Sequence, residues 1–200
     1  MRRIIKSPNS KIIKENLKYK VKGDNSNLRI TLLMEQKRFC AYTEEYIGTN
    51  DAYDIEHFNP NLKDSPQDNY ENWFCVKHKP NMHKSTKWFD TILHPTVESF
   101  EERLIYIDGA FFPTDENDIS TKNLITLLDL NNEILVKDRR KYIARRKEAI
   151  EDIGKIPFEY FENKIKNEIW MIRYLRAINT EFDIDIWSMI PDIEEECKPE

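Results

Sequence analysis

Asp54-Ile55-Glu56-His57-Phe58-Asn59-Pro60 sets a carboxylate beside an imidazole on a stretch that Pro60 closes. From Tyr53 to Phe58 the residues alternate in the manner of a strand. Alternation puts Asp54 and Glu56 on one face and His57 on the other. Downstream the chain supplies two carboxamides and an ammonium: Asn72 before Trp73-Phe74, then Asn81 and Lys84 in Asn81-Met82-His83-Lys84-Ser85. Hydrolysis of a phosphodiester needs a water made nucleophilic, a cation on the developing charge and a scaffold that keeps both in line. Histidine titrates near pH 6.5 and suits the first task, so His57 is the candidate base. A hard cation such as Mg²⁺ or Mn²⁺ takes oxygen ligands and keeps several waters, which fits Glu56 and Asn81. Asn72 lies too early for a helix over Asn81 and is expected to bond backbone, fixing the loop that carries the histidine. Lys84, one helical turn after Asn81, is expected to meet a phosphate oxygen.

Working outward, residues 11–20 read as a short helix and residues 28–37 as a better one, with Asn25-Ser26-Asn27 as its N-cap. Phe39-Cys40-Ala41-Tyr42-Thr43 reads as a short strand or turn that joins 53–58 in a hairpin across Gly48-Thr49-Asn50-Asp51. Residues 60–69 are loop, and a helix follows from Asn81 to about Phe89, bounded upstream by Pro80. The middle of the chain is thus expected to be a ββα unit. Residues 103–112 form the clearest hairpin, turning at Asp108-Gly109. Helices are predicted over 120–130, with Leu124, Leu127 and Leu128 inward, over 133–153, ending at Gly154, and from Pro157 to about Asn179.

A chain of 200 residues with 40% hydrophobic and 34% charged residues suits one main core under a well-solvated surface. No run approaches the roughly 20 apolar residues that span a bilayer, so the expectation is a cytoplasmic protein without membrane contact. The net charge of −5 is unevenly spread. Residues 1–22 carry Arg2, Arg3, Lys6, Lys11, Lys14, Lys18, Lys20 and Lys22 against Glu15, whereas the last residues are acidic. Such asymmetry fits a basic end that faces nucleic acid and a solvated acidic tail. The helix over 133–153 adds Lys137, Arg139, Arg140, Lys141, Arg145, Arg146 and Lys147, a second candidate for tracking a DNA backbone. Cys40, Cys75 and Cys197 lack paired spacing, and reduced thiols are expected.

Asp-Ile-Glu-His-Phe-x-Pro, Asn-Trp-Phe and Asn-x-x-Lys-Ser, in this order and at these spacings, resemble the HNH motif of the ββα-metal endonucleases. The resemblance covers roughly residues 38–88. It implies an α+β protein, a ββα-metal (HNH) finger embedded in a mostly helical chain with the extra hairpin at 103–112. It implies His57 as general base, Glu56 and Asn81 as ligands of a divalent metal, and Asn72 as a structural asparagine. The flanks are similar to small bacterial HNH proteins that work beside an ATPase in anti-phage systems such as Septu and related retron systems. DNA and an ABC-type or other ATPase are therefore the implied partners. The alternative is an inert HNH-like binding subunit of such a complex.

Many HNH proteins brace the finger with two Cys-x-x-Cys pairs on Zn²⁺. This chain has Cys40-Ala41-Tyr42-Thr43 and Cys75-Val76-Lys77-His78 in their place, which favours bracing by Phe39, Tyr42, Trp73, Phe74 and Trp88 over zinc. His83 is an alternative ligand to Asn81, and His94 reads as a packed or capping histidine. The expected organisation is a basic, helical segment (1–37), the HNH module (38–90), a hairpin with a helical subdomain (91–190) and an acidic tail (191–200).

Overall fold

A computed structural model describes residues 1–78, 84 and 86–193 of the chain. The fold is α+β, with two separate two-stranded antiparallel sheets among helices in the described residues. Strand β1 (Tyr53–His57) pairs with β2 (Trp73–Lys77), in a register running from Tyr53 opposite Lys77 to His57 opposite Trp73. Strand β3 (Leu104–Ile107) pairs with β4 (Ala110–Pro113).

The partner of β1 corrects the sequence reading. The 39–43 segment does not join it in a hairpin. It closes instead into a tight turn, with Cys40 N–H donating to the Glu45 carbonyl at 2.9 Å and a bridge between Phe39 and Tyr46. Strand β2 escapes an alternation search because Trp73, Phe74, Cys75 and Val76 are all buried. A strand covered on both faces reads as a continuous apolar run. Its outer edge is satisfied by Gln36, whose Oε1 accepts the Cys75 N–H at 2.8 Å while its Nε2 donates to the Cys75 carbonyl at 2.8 Å.

Helix α1 (Lys11–Lys14) is shorter than its expected span, and Asn16, with φ 50°, lies just beyond its end. Helix α2 (Ser26–Glu35) starts after Asn25, whose side chain does not cap it. Asn25 Oδ1 instead accepts the Lys20 N–H at 2.8 Å, and its Nδ2 donates to the carbonyls of Lys20 and Gly23 at 2.9 and 3.1 Å. The helix expected over 81–89 falls largely outside the described residues, although 87–89 lie in no helix.

After the short α3 (Phe100–Arg103), the β3–β4 hairpin turns where the sequence places it. Asp108 and Gly109 both take positive φ, 43° and 84°, as a tight two-residue turn demands. A Cβ at Gly109 would sit 2.8 Å from the Val136 carbonyl oxygen. Helix α4 (Ile119–Leu127) follows, and α5 (Glu133–Ile153) ends at Gly154 in the left-handed region, φ 62°.

The last predicted helix is broken in two. Helix α6 (Pro157–Glu168) gives way to a 3₁₀ turn over Ile169–Met171, and α7 (Leu175–Phe182) and α8 (Ile186–Met189) follow. The cause is tertiary. Arg173 bridges to Glu45, and the Tyr174 N–H donates to the Glu44 carbonyl at 2.9 Å, which holds Tyr174 at φ 62°. Glu44 then caps α7 with its own carboxylate, which accepts the Arg176 N–H at 3.1 Å and the Arg2 N–H at 2.7 Å. A single buried cluster runs from Ile4 and Leu32 through Phe58 and Phe74 to Phe111, Phe161 and Ile178. Each such side chain contributes about 1.5–3 kcal/mol by leaving water. No described helix is long and apolar enough to cross a membrane.

Candidate active site

Strand β1 carries Glu56 and His57 into the interior at its C-terminal end, where both are buried. The His57 ring stands edge-on to Tyr19, with centroids 4.5 Å apart. Its Nε2 lies 3.0 Å from Asp68 Oδ2, with the two side chains 6% and 5% exposed. The carboxylate is off the N–H line, so Nε2 has no in-line hydrogen-bond partner among the described residues and the contact is chiefly Coulombic. Burial holds the imidazole below its ordinary pKa, Asp68 pulls it back up, and Lys63 adds to the lowering. Burial thus favours the neutral imidazole, and the facing Asp68 carboxylate opposes that effect.

Asp68 is fixed by other contacts. Its Oδ1 accepts from Asn72 Nδ2 at 2.9 Å and from the Trp73 indole N–H at 2.8 Å. Asn72, itself buried, bonds backbone as its position implies. Its Oδ1 accepts the Asn59 N–H at 2.7 Å and its Nδ2 also donates to the Asn59 carbonyl at 3.2 Å. The Phe58 N–H donates to the Asn72 carbonyl at 2.9 Å. One asparagine therefore aligns the two residues that follow His57 with the carboxylate that faces it.

On the other side of the strand, Glu56 Oε1 meets the Lys84 ammonium at 2.6 Å, and the Tyr42 hydroxyl donates to the same oxygen at 3.3 Å. Lys84 is 1% exposed and also donates to the His57 carbonyl at 3.2 Å. The side chain expected to meet a phosphate instead faces inward and neutralises Glu56. Burial still raises the Glu56 pKa, opposed by Lys84 first and Tyr42 after it. Asn81 and His83, the other ligand candidates, lie outside the described residues.

The cysteine and histidine positions have their own partners. Cys40 Sγ accepts the Lys77 N–H at 3.3 Å, Cys75 is buried beside Gln36, and the half-exposed His78 pairs with Asp54 at 2.8 Å. His94 packs edge-on to Phe58 at 4.9 Å and its Nδ1 meets Thr96 Oγ1 at 2.8 Å.

Sequence reasoning missed Asp68 and Tyr19, and it took Tyr42 as a packing residue without its hydrogen bond to Glu56. Asp68 stands in a turn-rich run, Ser65-Pro66-Gln67-Asp68-Asn69, with no spacing to distinguish it from Asp64. Only the three-dimensional closure of that loop brings it to His57. The basic helix reads differently as well. Arg139 is buried and donates to the carbonyls of Gly109 and Leu130 at 2.9 and 2.7 Å. Arg140 binds Asp108, Arg146 the Tyr160 hydroxyl, Lys147 Glu181 and Lys137 Glu133. Most of the positive charge on α5 is thus engaged within the fold.

No family model matches the chain, and no curated protein or solved structure matches it.

Proposed function

We propose that this chain is a metal-dependent endonuclease of the HNH type that hydrolyses phosphodiester bonds in DNA. In this reading it serves in the cytoplasm as the nuclease of an anti-phage system beside an ATPase subunit. The observation that carries the reading is the buried His57–Asp68 pair, with Asp68 and the backbone at Asn59 both held by Asn72. The Asp68 carboxylate favours the tautomer protonated at Nε2, which leaves Nδ1 as the basic nitrogen. His57 takes a proton from water at Nδ1, and Asp68 stabilises the imidazolium that results. Glu56 and Asn81 would hold a divalent cation such as Mg²⁺, which supplies Lewis-acid stabilisation of the phosphoryl charge. The donor set fits a hard cation: Glu56 is a buried carboxylate whose charged form needs a positive partner. In this structure the Lys84 ammonium fills that need, so a bound cation and Lys84 compete for one carboxylate.

That competition favours a second reading, an inert HNH-like subunit in which Lys84 has replaced the cation. Plasmid cleavage with Mg²⁺ or Mn²⁺ separates the two. The nuclease reading expects nicked or linear product from the wild-type chain, alone or with the ATPase, and none from His57→Ala. Equal cleavage by His57→Ala would remove His57 as the base.

A further inference from the structure

The basic residues near the start of the chain fall into two sets. Arg2 stacks on Trp187 and the half-buried Lys6 lies between Tyr70 and Phe74. Lys14, Lys18, Lys20 and Lys22 are instead exposed and form no ion pair with any described residue. Residues 17–20 run without regular structure, and their exposure alternates: Leu17 and Tyr19 turn inward while Lys18 and Lys20 face solvent. Tyr19 is the residue whose ring meets His57. The turn that follows is clamped by Asn25, which holds both the N–H and the carbonyl of Lys20. The lysines therefore project from an ordered segment attached to the candidate base.

Lys18, Tyr19 and Val21 form one wall of a cleft of about 380 Å³ whose other wall includes Asp64, Asp68 and Trp73. The exposed Lys63 lies over the ring of the cleft-lining Tyr19, its Nζ 5.3 Å from the centroid, and adds a positive charge beside that residue. Lys18 lines the cleft opposite Asp64 and Asp68, and Lys20 and Lys22 are exposed on the same segment, so a polyanion is drawn to the 18–22 side and away from the carboxylates.

We infer that the segment bearing Lys18, Lys20 and Lys22, with Lys63 beside Tyr19, is the surface that grips the nucleic-acid backbone and leads it to His57. The inference rests on the nuclease reading for its substrate but assigns binding to this segment and not to α5. Amines that contact phosphates release condensed counterions, giving sequence-blind affinity that falls steeply with salt.

The test is fluorescence anisotropy with labelled duplex and single-stranded oligonucleotides in EDTA, where no metal-dependent cleavage intervenes, across roughly 50–200 mM salt. The variants are K18Q/K20Q/K22Q and, on α5, K141Q/R145Q, each checked by thermal melting. The first is expected to lower the slope of log affinity against log salt by about 2–3, near one per lost contact, and the second to leave it within about 0.5. An unchanged slope in the first variant, or the larger loss in the second, overturns the assignment, as does failure of the wild-type chain to bind either probe. Wild-type binding that follows the 18–22 lysines, with no cleavage in Mg²⁺ either alone or with the ATPase, removes the nuclease reading and leaves the binding surface standing.

Discussion

Asn72 and Asn59 are joined twice, the carboxamide oxygen of Asn72 accepting the Asn59 N–H at 2.7 Å and its Nδ2 donating to the Asn59 carbonyl at 3.2 Å. A side chain here performs what a neighbouring strand performs along a ladder. Asn72→Ala leaves both backbone groups and one Asp68 oxygen short of a partner. At about 1 kcal/mol for each hydrogen bond, the expected loss is about 2–4 kcal/mol in urea unfolding. Asn72→Asp keeps the volume and the acceptor but sets a second carboxylate against Asp68, and is expected to be the worse of the two.

Asp68→Asn tests whether the carboxylate acts through His57. It keeps an oxygen for Asn72 and Trp73 while removing the charge that faces Nε2. The expectation is a kcat about 10²- to 10⁴-fold lower with KM unchanged, as for loss of the partner that orients a catalytic imidazole. Nitrogen NMR of His57 should show the ring proton leaving Nε2. An unaltered tautomer with normal kcat would reduce Asp68 to a loop brace.

Glu56 and Lys84 form a buried ion pair, and breaking one side of such a pair costs more than removing both. Lys84→Met should destabilise by about 3–5 kcal/mol, and Glu56→Gln combined with Lys84→Met should recover most of that. Calorimetric titration adds a second readout. With the competing ammonium gone, Mn²⁺ should bind Lys84→Met more tightly than the wild-type chain, and weaker binding would contradict the proposed competition.

His94 supplies a pH dependence. Burial, with Lys6 nearby, lowers its pKa from 6.5 to about 4. Below its unfolded value the open chain binds the proton more readily than the fold does. The stability His94 contributes is therefore complete above about pH 6.5 and is lost as pH falls through about 4, by at most about 3 kcal/mol. His94→Asn, whose carboxamide approximates the Nδ1 contact to Thr96, should flatten the stability curve between pH 6.5 and 4.

The residues legible in the sequence are those whose signal is local. The β3–β4 turn follows from Asp108-Gly109, and the end of α5 follows from Gly154. Asn72 was legible as a backbone-bonding residue because its spacing keeps it off any helix over Asn81. What was not legible depends on contacts distant in sequence. Strand β2 has no alternation because both its faces are covered. The α6–α7 break involves neither Gly nor Pro, only the pull of Glu44 and Glu45 on Arg173 and Tyr174. Lys84 could be placed one turn from Asn81, but its inward pairing with Glu56 depends on the depth of a strand about thirty residues earlier.

The β1–β2 ladder ends at His57 opposite Trp73, yet the next two amides are also held, Phe58 by the Asn72 carbonyl and Asn59 by the Asn72 side chain. Strand ends ordinarily fray one residue at a time. Here two successive protons share one keeper, and that keeper also grips Asp68. Deuterium should therefore enter Phe58 and Asn59 together, in a single opening that also releases one of the two hydrogen bonds on Asp68 Oδ1. The turn that follows His57 is then one unit of local opening, its two amides and part of the hold on Asp68 governed by a single residue.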